Sequence, residues 1–292
     1  MRTRFNIIIL SALVISLTAS CEREANLNSK FEEQKQVVNC LFENGENFYV
    51  YTSLTGTPTD SNLVGTDTNS IVILYENNVY KEIMPYIKFN AVYQSLTIAK
   101  PGVNYRLEVR NNRFIGNRYQ VDAAATIPDS IALINAYFKD SVMQDAFGNW
   151  MGKIHFEVAD KTGMVNPELG IEYYDAQKSK YSPILNFTPD NNWKKYASAS
   201  ISSGTFTVNN SDWKGATKAF DLYVTSIDYH SQGLTQFRLS FSNLSNDWRT
   251  YQTSLSAYIK AGGTDQLQVY SNIIGEGYGI FAGKCVSRVV VK

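Results

Sequence analysis

The chain has 292 residues, with 27 basic and 27 acidic side chains. That balance excludes the broad basic footprint a nucleic-acid binder needs. Charged residues make up only 18% while aromatics reach 13%, with 19 tyrosines, a mixture suited to strands that pack one face and wet the other; the length accommodates two domains, each large enough to bury its own core.

In chain order, residues 1–20 read as a secretory signal peptide. Arg2 and Arg4 precede the apolar run Ile7 to Leu17, which is too short to cross a bilayer, and small residues lead to Cys21. Ala19, Ser20 and Cys21 resemble the lipobox of bacterial lipoproteins, in which the cysteine is lipidated and becomes the new N-terminus; Thr18 stands where Leu or Val is usual. The polar stretch 21–36 reads as a lipidated tether, and Glu22 and Glu24 resemble the surface-export signal of Bacteroidota lipoproteins. Outside the cytoplasm Cys40 and Cys285 either pair as a disulfide, which by chain entropy is worth at most about 5 kcal/mol, or stay as two buried thiols.

From residue 37 most of the chain alternates with period two, which predicts an all-β, mostly antiparallel fold of two β-sandwich-like domains. The first, 37–127, is expected to be immunoglobulin- or transthyretin-like. Residues 37–42 and 47–56 form a first hairpin around "ENGE"; 70–83 is strand, Asn77-Asn78 turn, strand; Pro101-Gly102 is a turn. In "NYRLEVR", Tyr105, Leu107 and Val109 make a core face, and Asn104, Arg106, Glu108 and Arg110 a wet one. Pro128 breaks pairing, so the boundary falls near 127 and a second β domain, 128–292, begins with a strand at Ile131. Further strands are expected within 149–160, 168–177, 196–210, 218–230 and 235–244. One amphipathic helix is expected over 245–260, capped by Ser245 or Asn246, with Trp248, Tyr251, Gln252, Leu255, Tyr258 and Ile259 at helical spacing and Gly262-Gly263 after it.

The segment "VYSNIIGEGYGIFAG" raises the question of phosphate binding. Counting from Gly275, the sixth position is Ile280, no helix follows, and no Lys-Ser/Thr pair completes a P-loop. Gly275, Gly277 and Gly279, with Phe281 beyond them, instead mark one side of an extended strand where a neighbouring backbone or ring comes close. His155 with Glu157, and Ser226, Asp228 and His230, share strand faces; strand histidines satisfied by neighbours are favoured over a metal pair or a triad, because metal needs more ligands and triads come from separate loops. Asp67, Asp190, Asn191, Asn192 and Asp212 lie in loops without a calcium-loop pattern. No metal, cofactor or catalytic residue is assigned. Ser130 in "DSI" and Ser141 in "DSV" resemble O-glycosylation acceptors of Bacteroidota.

Taken together, the lipobox followed by "KQVVNCLF", then "KPGVNYRLEV", "ATIPDSIAL" and above all "VYSNIIGEGYGIFAG", resemble the Bacteroidota lipoprotein family called domain of unknown function 4249, over nearly the whole mature chain. The resemblance implies an all-β outer-membrane lipoprotein, often encoded beside a TonB-dependent transporter, and brings no catalytic residues. The leading expectation is a lipid-anchored binding or accessory module on the periplasmic face or cell surface, rather than an enzyme. The alternative is a fimbrillin-like structural or adhesin subunit, trimmed after a basic residue such as Lys35. A hydrolase using His230 or His155 comes third.

Overall fold

The computed structural model describes residues 34–55, 67–111, 120–159, 164–175, 178–184, 187–191, 197–200, 205–208, 216–225, 236–263 and 268–292. Cys21, the signal and most of the tether, and Asn192, Asp212, Ser226, Asp228 and His230 lie outside them. Strands dominate, and every described strand pair is antiparallel except one.

The first hairpin is β1 (Gln36–Glu43) and β2 (Asn47–Leu54), continued by β6 (Val92–Ile98) and β5 (Tyr86–Ile87). Facing it is a five-stranded sheet in the order β18 (Ile274–Gly275), β8 (Gln120–Thr126), β7 (Asn104–Asn111), β3 (Ser70–Glu76), β4 (Val79–Met84). Alternation dictates the contact: Val38, Cys40, Phe42, Phe48 and Val50 meet Val72, Leu74, Tyr105, Leu107 and Val109 in one buried core. Aromatic rings fill its centre, with Phe42 4.6 Å from Phe48 and 4.8 Å from Phe281. Burial of each such side chain contributes about 1.5–3 kcal/mol. The turns follow their residues. Asn77 and Asn78 both take positive φ (52° and 63°), as a tight hairpin between twisted strands requires, and Gly102 sits at φ 71°.

The second sandwich packs β14 (Ala197–Ser200), β15 (Thr205–Val208), β11 (Asn166–Asp175), β17 (Phe237–Leu244) and β19 (Gly277–Val291), with β12 (Lys180–Pro183) also on β11, against β13 (Thr188–Pro189), β16 (Lys218–Thr225), β10 (Trp150–Ala159) and β9 (Ala132–Gln144). Its core includes Ile154, Phe156, Leu169, Phe220, Leu239 and Phe241.

Strand β19 belongs to both halves. Its first half runs parallel to β1, from Gly277 opposite Gln36 to Lys284 opposite Glu43; its second half pairs antiparallel with β17, from Lys284 opposite Leu244 to Val291 opposite Phe237. Phe281 and Cys285 therefore enter the first core and Val291 the second. The division expected at residue 127 separates Ile127, in the first core, from Ile131, in the second, whereas β19 contributes to both.

Two packing expectations change. Helix α1 (Asn246–Lys260) starts as expected, with the Ser245 hydroxyl accepting from the Trp248 N–H. Of its expected apolar stripe only Trp248 is buried, against Leu244, Ile280 and Ala282; Ile259 is 66% exposed. The helix is docked chiefly by its first turn, with Tyr251 packed against the same small core, and the remainder flanks clefts. On β7, Glu108 is buried although it alternates onto the wet face, because Tyr75, Arg106 and Arg110 fold over it.

Candidate functional site

A cleft lined mainly by tyrosine lies where helix α1, the segment before β18, and the parallel pair β1/β19 converge. Tyr251 and Tyr258 project from α1, Tyr270 from the segment 268–271, and Tyr278 from the start of β19; Val37 and Asn39 form a wall from the outer face of β1, and Gln268 also lines the cleft. The cleft encloses about 500 Å³, within the range of small-molecule sites.

Local chemistry sets each tyrosine. Tyr270 is locked to the helix from both ends: its N–H donates to Ser254 Oγ at 2.8 Å, and its hydroxyl donates to Asp247 Oδ1 at 2.5 Å. That bond to a carboxylate, with burial behind it, pushes the Tyr270 hydroxyl up to about 12, so the group stays a neutral donor. Tyr278 receives the Lys35 ammonium at 3.1 Å on its hydroxyl, and the same ammonium lies 5.1 Å from its ring centroid. Tyr258 is held near the end of the helix, where its carbonyl accepts from the Gly263 N–H at 3.0 Å.

The glycine motif shapes this cleft. Gly279 lines it and sits at φ 127°, a conformation that side chains rarely adopt, and a Cβ there would run into the Val38 carbonyl. At Gly277 a Cβ would stand 2.6 Å from Val121 Cγ1 and 2.7 Å from the Gln36 carbonyl oxygen. The expected close approach is therefore made by the backbone of β1 at Gly277 and Gly279, with Val121 of β8 also against Gly277, and by the Gln120 carbonyl of β8 at Gly275. The positive φ values at Gly275 and Gly279 correct the picture of a regular strand with three glycines on one side, because the chain twists at each. Phe281 is in the first core, not the cleft. Ser271 Oγ accepts from the Gly279 N–H at 3.1 Å, which ties the wall of the cleft to the motif.

Cys40 and Cys285 are both buried and both free. The register explains why no bridge forms. Cys40 stands opposite Phe281, so Cys285 lies four residues further along β19, roughly 13 Å away along the strand, beyond the roughly 7 Å that a disulfide tolerates. Burial pushes the Cys285 thiol up to about 11, helped by the Asp129 and Glu43 charges, and burial raises Cys40 further.

His155 belongs to a cross-strand ladder. Its Nδ1 lies 2.6 Å from Asp221 Oδ1 on β16, its ring stacks on Tyr137 of β9 at 4.8 Å, and Glu157 Oε1 is 3.8 Å from Nε2. Lys153 reaches Asp221 Oδ2 at 3.4 Å; burial works against its charge, and the Asp221 and Tyr137 partners outweigh that and raise its pKa. Nucleophilic catalysis needs a hydroxyl or thiol at the free imidazole nitrogen, and Glu157 occupies that side. Among the described residues no group of three or more His, Cys, Asp and Glu is arranged to hold a metal. Asp67 is instead buried in a polar network, with its Oδ2 accepting from Ser70 and Asn111 at 2.7 and 2.6 Å; Asp190 accepts from the Asp221 N–H at 3.3 Å.

Ser130 and Ser141 are both exposed. Ser130 is in the link between the two cores. Ser141 takes φ 50° within a bulge of edge strand β9, opposite the register shift between Met151 and Lys153, and its hydroxyl donates to Asp140.

The cleft was missed in the sequence. Tyr251 and Tyr258, seven residues apart on a helix, and Tyr270 and Tyr278, flanking the glycine run, were the available signal, but periodicity alone does not separate a core stripe from a cleft wall. No protein-family model matches the chain, and no curated protein matches it either.

Proposed function

We propose that this chain is an outer-membrane lipoprotein of the family its motifs resemble, lipidated at Cys21, and that its folded body binds a ligand in the tyrosine cleft as an accessory to a TonB-dependent transporter. The observation that carries the reading is the cleft and its place in the chain. Lys35 contacts Tyr278, and Val37 and Asn39 form a wall, so the polypeptide enters its fold beside the cleft. The stretch between Cys21 and Gln34 spans at most roughly 45 Å. A site at the root of such a tether stays close to the membrane in which a transporter sits, and a ligand captured there is concentrated near the transporter's mouth.

The test is co-purification. Tagged full-length chain extracted from outer membrane in mild detergent is expected to bring down a transporter barrel, and the Cys21→Ala chain is expected to lose both palmitate incorporation and the partner. Recovery of the lipidated chain alone contradicts the reading.

A further inference from the structure

We infer that the tyrosine cleft takes a neutral glycan, recognised by stacking of sugar rings on tyrosine and by hydrogen bonds from side-chain amides. The inference rests on the cleft being the binding site, and names what binds there.

The lining decides the class by what it offers and what it lacks. It carries no charged side chain. Two ions of opposite sign touch its tyrosines, Lys35 on the Tyr278 hydroxyl and Asp247 on the Tyr270 hydroxyl, so their charges offset and neither sign is favoured in the cleft. A phosphate, a carboxylate or an ammonium group entering here would lose water without a charged side chain in the lining to receive it. A wholly apolar ligand fails for the opposite reason. Among the described residues the side-chain amides of Asn39 and Gln268 and the hydroxyls of Tyr251 and Tyr258 make no hydrogen bond, and a lipid chain or hydrocarbon would cover them with nothing in return. A sugar ring matches both. Its C–H face packs on an aromatic ring, and each hydroxyl both donates and accepts, as a side-chain amide does.

The spacing adds length to the argument. Tyr251 and Tyr258 are two helical turns apart, about 10 Å along the axis, which accommodates consecutive rings of an oligosaccharide better than a single one. The tyrosines also bring little entropy cost. Tyr270 and Tyr278 are fixed by hydrogen bonds before any ligand arrives.

The full chain is titrated by calorimetry with neutral hexasaccharides (maltohexaose, cellohexaose, xylohexaose, mannohexaose and laminarihexaose), with hexagalacturonate, and with the tripeptide Phe-Gly-Phe capped at both ends. At least one neutral hexasaccharide is expected to bind, with affinity unchanged between 0.05 and 0.5 M salt. Tyr258→Ala is expected to weaken it at least tenfold and Asn39→Ala three- to tenfold, while Tyr258→Phe, which keeps the ring, stays within about threefold and controls for folding. If hexagalacturonate or the peptide binds with the same dependence on Tyr258 and the neutral sugars do not, the ligand class is wrong and the cleft stands as a binding site. If a neutral sugar binds equally well to the Tyr258→Ala and Tyr278→Ala chains, or nothing in the panel binds, the inference is overturned, and the co-purification above then decides separately whether the accessory role survives.

Discussion

Val38 and Gly279 are register partners in the parallel β1/β19 ladder, and Gly279 has no room for a side chain because the Val38 carbonyl occupies the place of its Cβ. This contact joins the start of the fold to its end, and Gly279 itself lines the cleft. Gly279→Ala is expected to cost about 3 kcal/mol or more, combining positive-φ strain with a backbone collision. Gly45, at φ 83° with nothing within 4 Å of a Cβ, carries the strain alone, and Gly45→Ala is expected to cost about 1 kcal/mol. Urea unfolding of the two variants checks the difference.

Glu108 is the buried carboxylate that reports on the outer face of the five-stranded sheet. Burial favours its neutral form, and hydrogen bonds from Tyr75 and Arg110 with the charges of Arg110 and Arg106 outweigh that, so its pKa lies below the ordinary glutamate value. A depressed folded pKa means the stabilisation is fully present above the unfolded value, about 4.3, and is lost as pH falls through the lower folded value. Glu108→Gln is expected to cost about 2 kcal/mol at pH 7, less than a fully buried pair because Arg106 and Arg110 are partly exposed, and the gap from the native chain should close at acidic pH. Denaturant titrations at pH 7 and pH 3 measure it; a gap that persists unchanged at low pH contradicts the assignment.

Cys40 and Cys285 are expected to be inert in the folded protein. Both are buried, with pKa values raised by burial, so at pH 8 neither presents a thiolate to a reagent. Iodoacetamide labelling followed by peptide mass analysis should modify both only after unfolding, and no peptide linking the two should be found without prior unfolding and oxidation.

Helix α1 hangs on its first turn. Trp248→Ala removes its buried anchor and is expected to cost about 3 kcal/mol and to abolish ligand binding in the cleft, because Tyr251 and Tyr258 lose their placement. Ser245→Ala removes only the cap, worth about 1 kcal/mol, and should weaken binding without abolishing it. Unfolding curves and calorimetry on the same samples separate the two effects.

The parts of the fold readable from the chain were those set by local chemistry. Alternation at Tyr105, Leu107 and Val109, the Asn77-Asn78 and Pro101-Gly102 turns and the Ser245 cap each act within a few residues, and each stands in the structure as expected. What stayed hidden depends on partners far along the chain. Nothing in residues 277–284 announces that they run parallel to β1, and without that pairing the conformation of Gly279 has no cause. His155 lies 66 residues from Asp221, so local sequence offers it Glu157, two residues away on the same strand, and not the partner it uses. Glu108 shows that parity assigns a face but not what covers it. The cleft failed to appear for the same reason: a tyrosine at helical spacing looks the same whether it meets a core or an opening.

The central claim is that the molecule meets its ligand on the four tyrosines of the cleft. It is tested most directly by NMR of the chain labelled at tyrosine, titrated with the neutral oligosaccharide that binds best. The account predicts that, of the 19 tyrosines, Tyr251, Tyr258, Tyr270 and Tyr278 carry the large shifts. Shifts centred elsewhere, for example on Tyr137 beside His155, with those four unmoved, would contradict it.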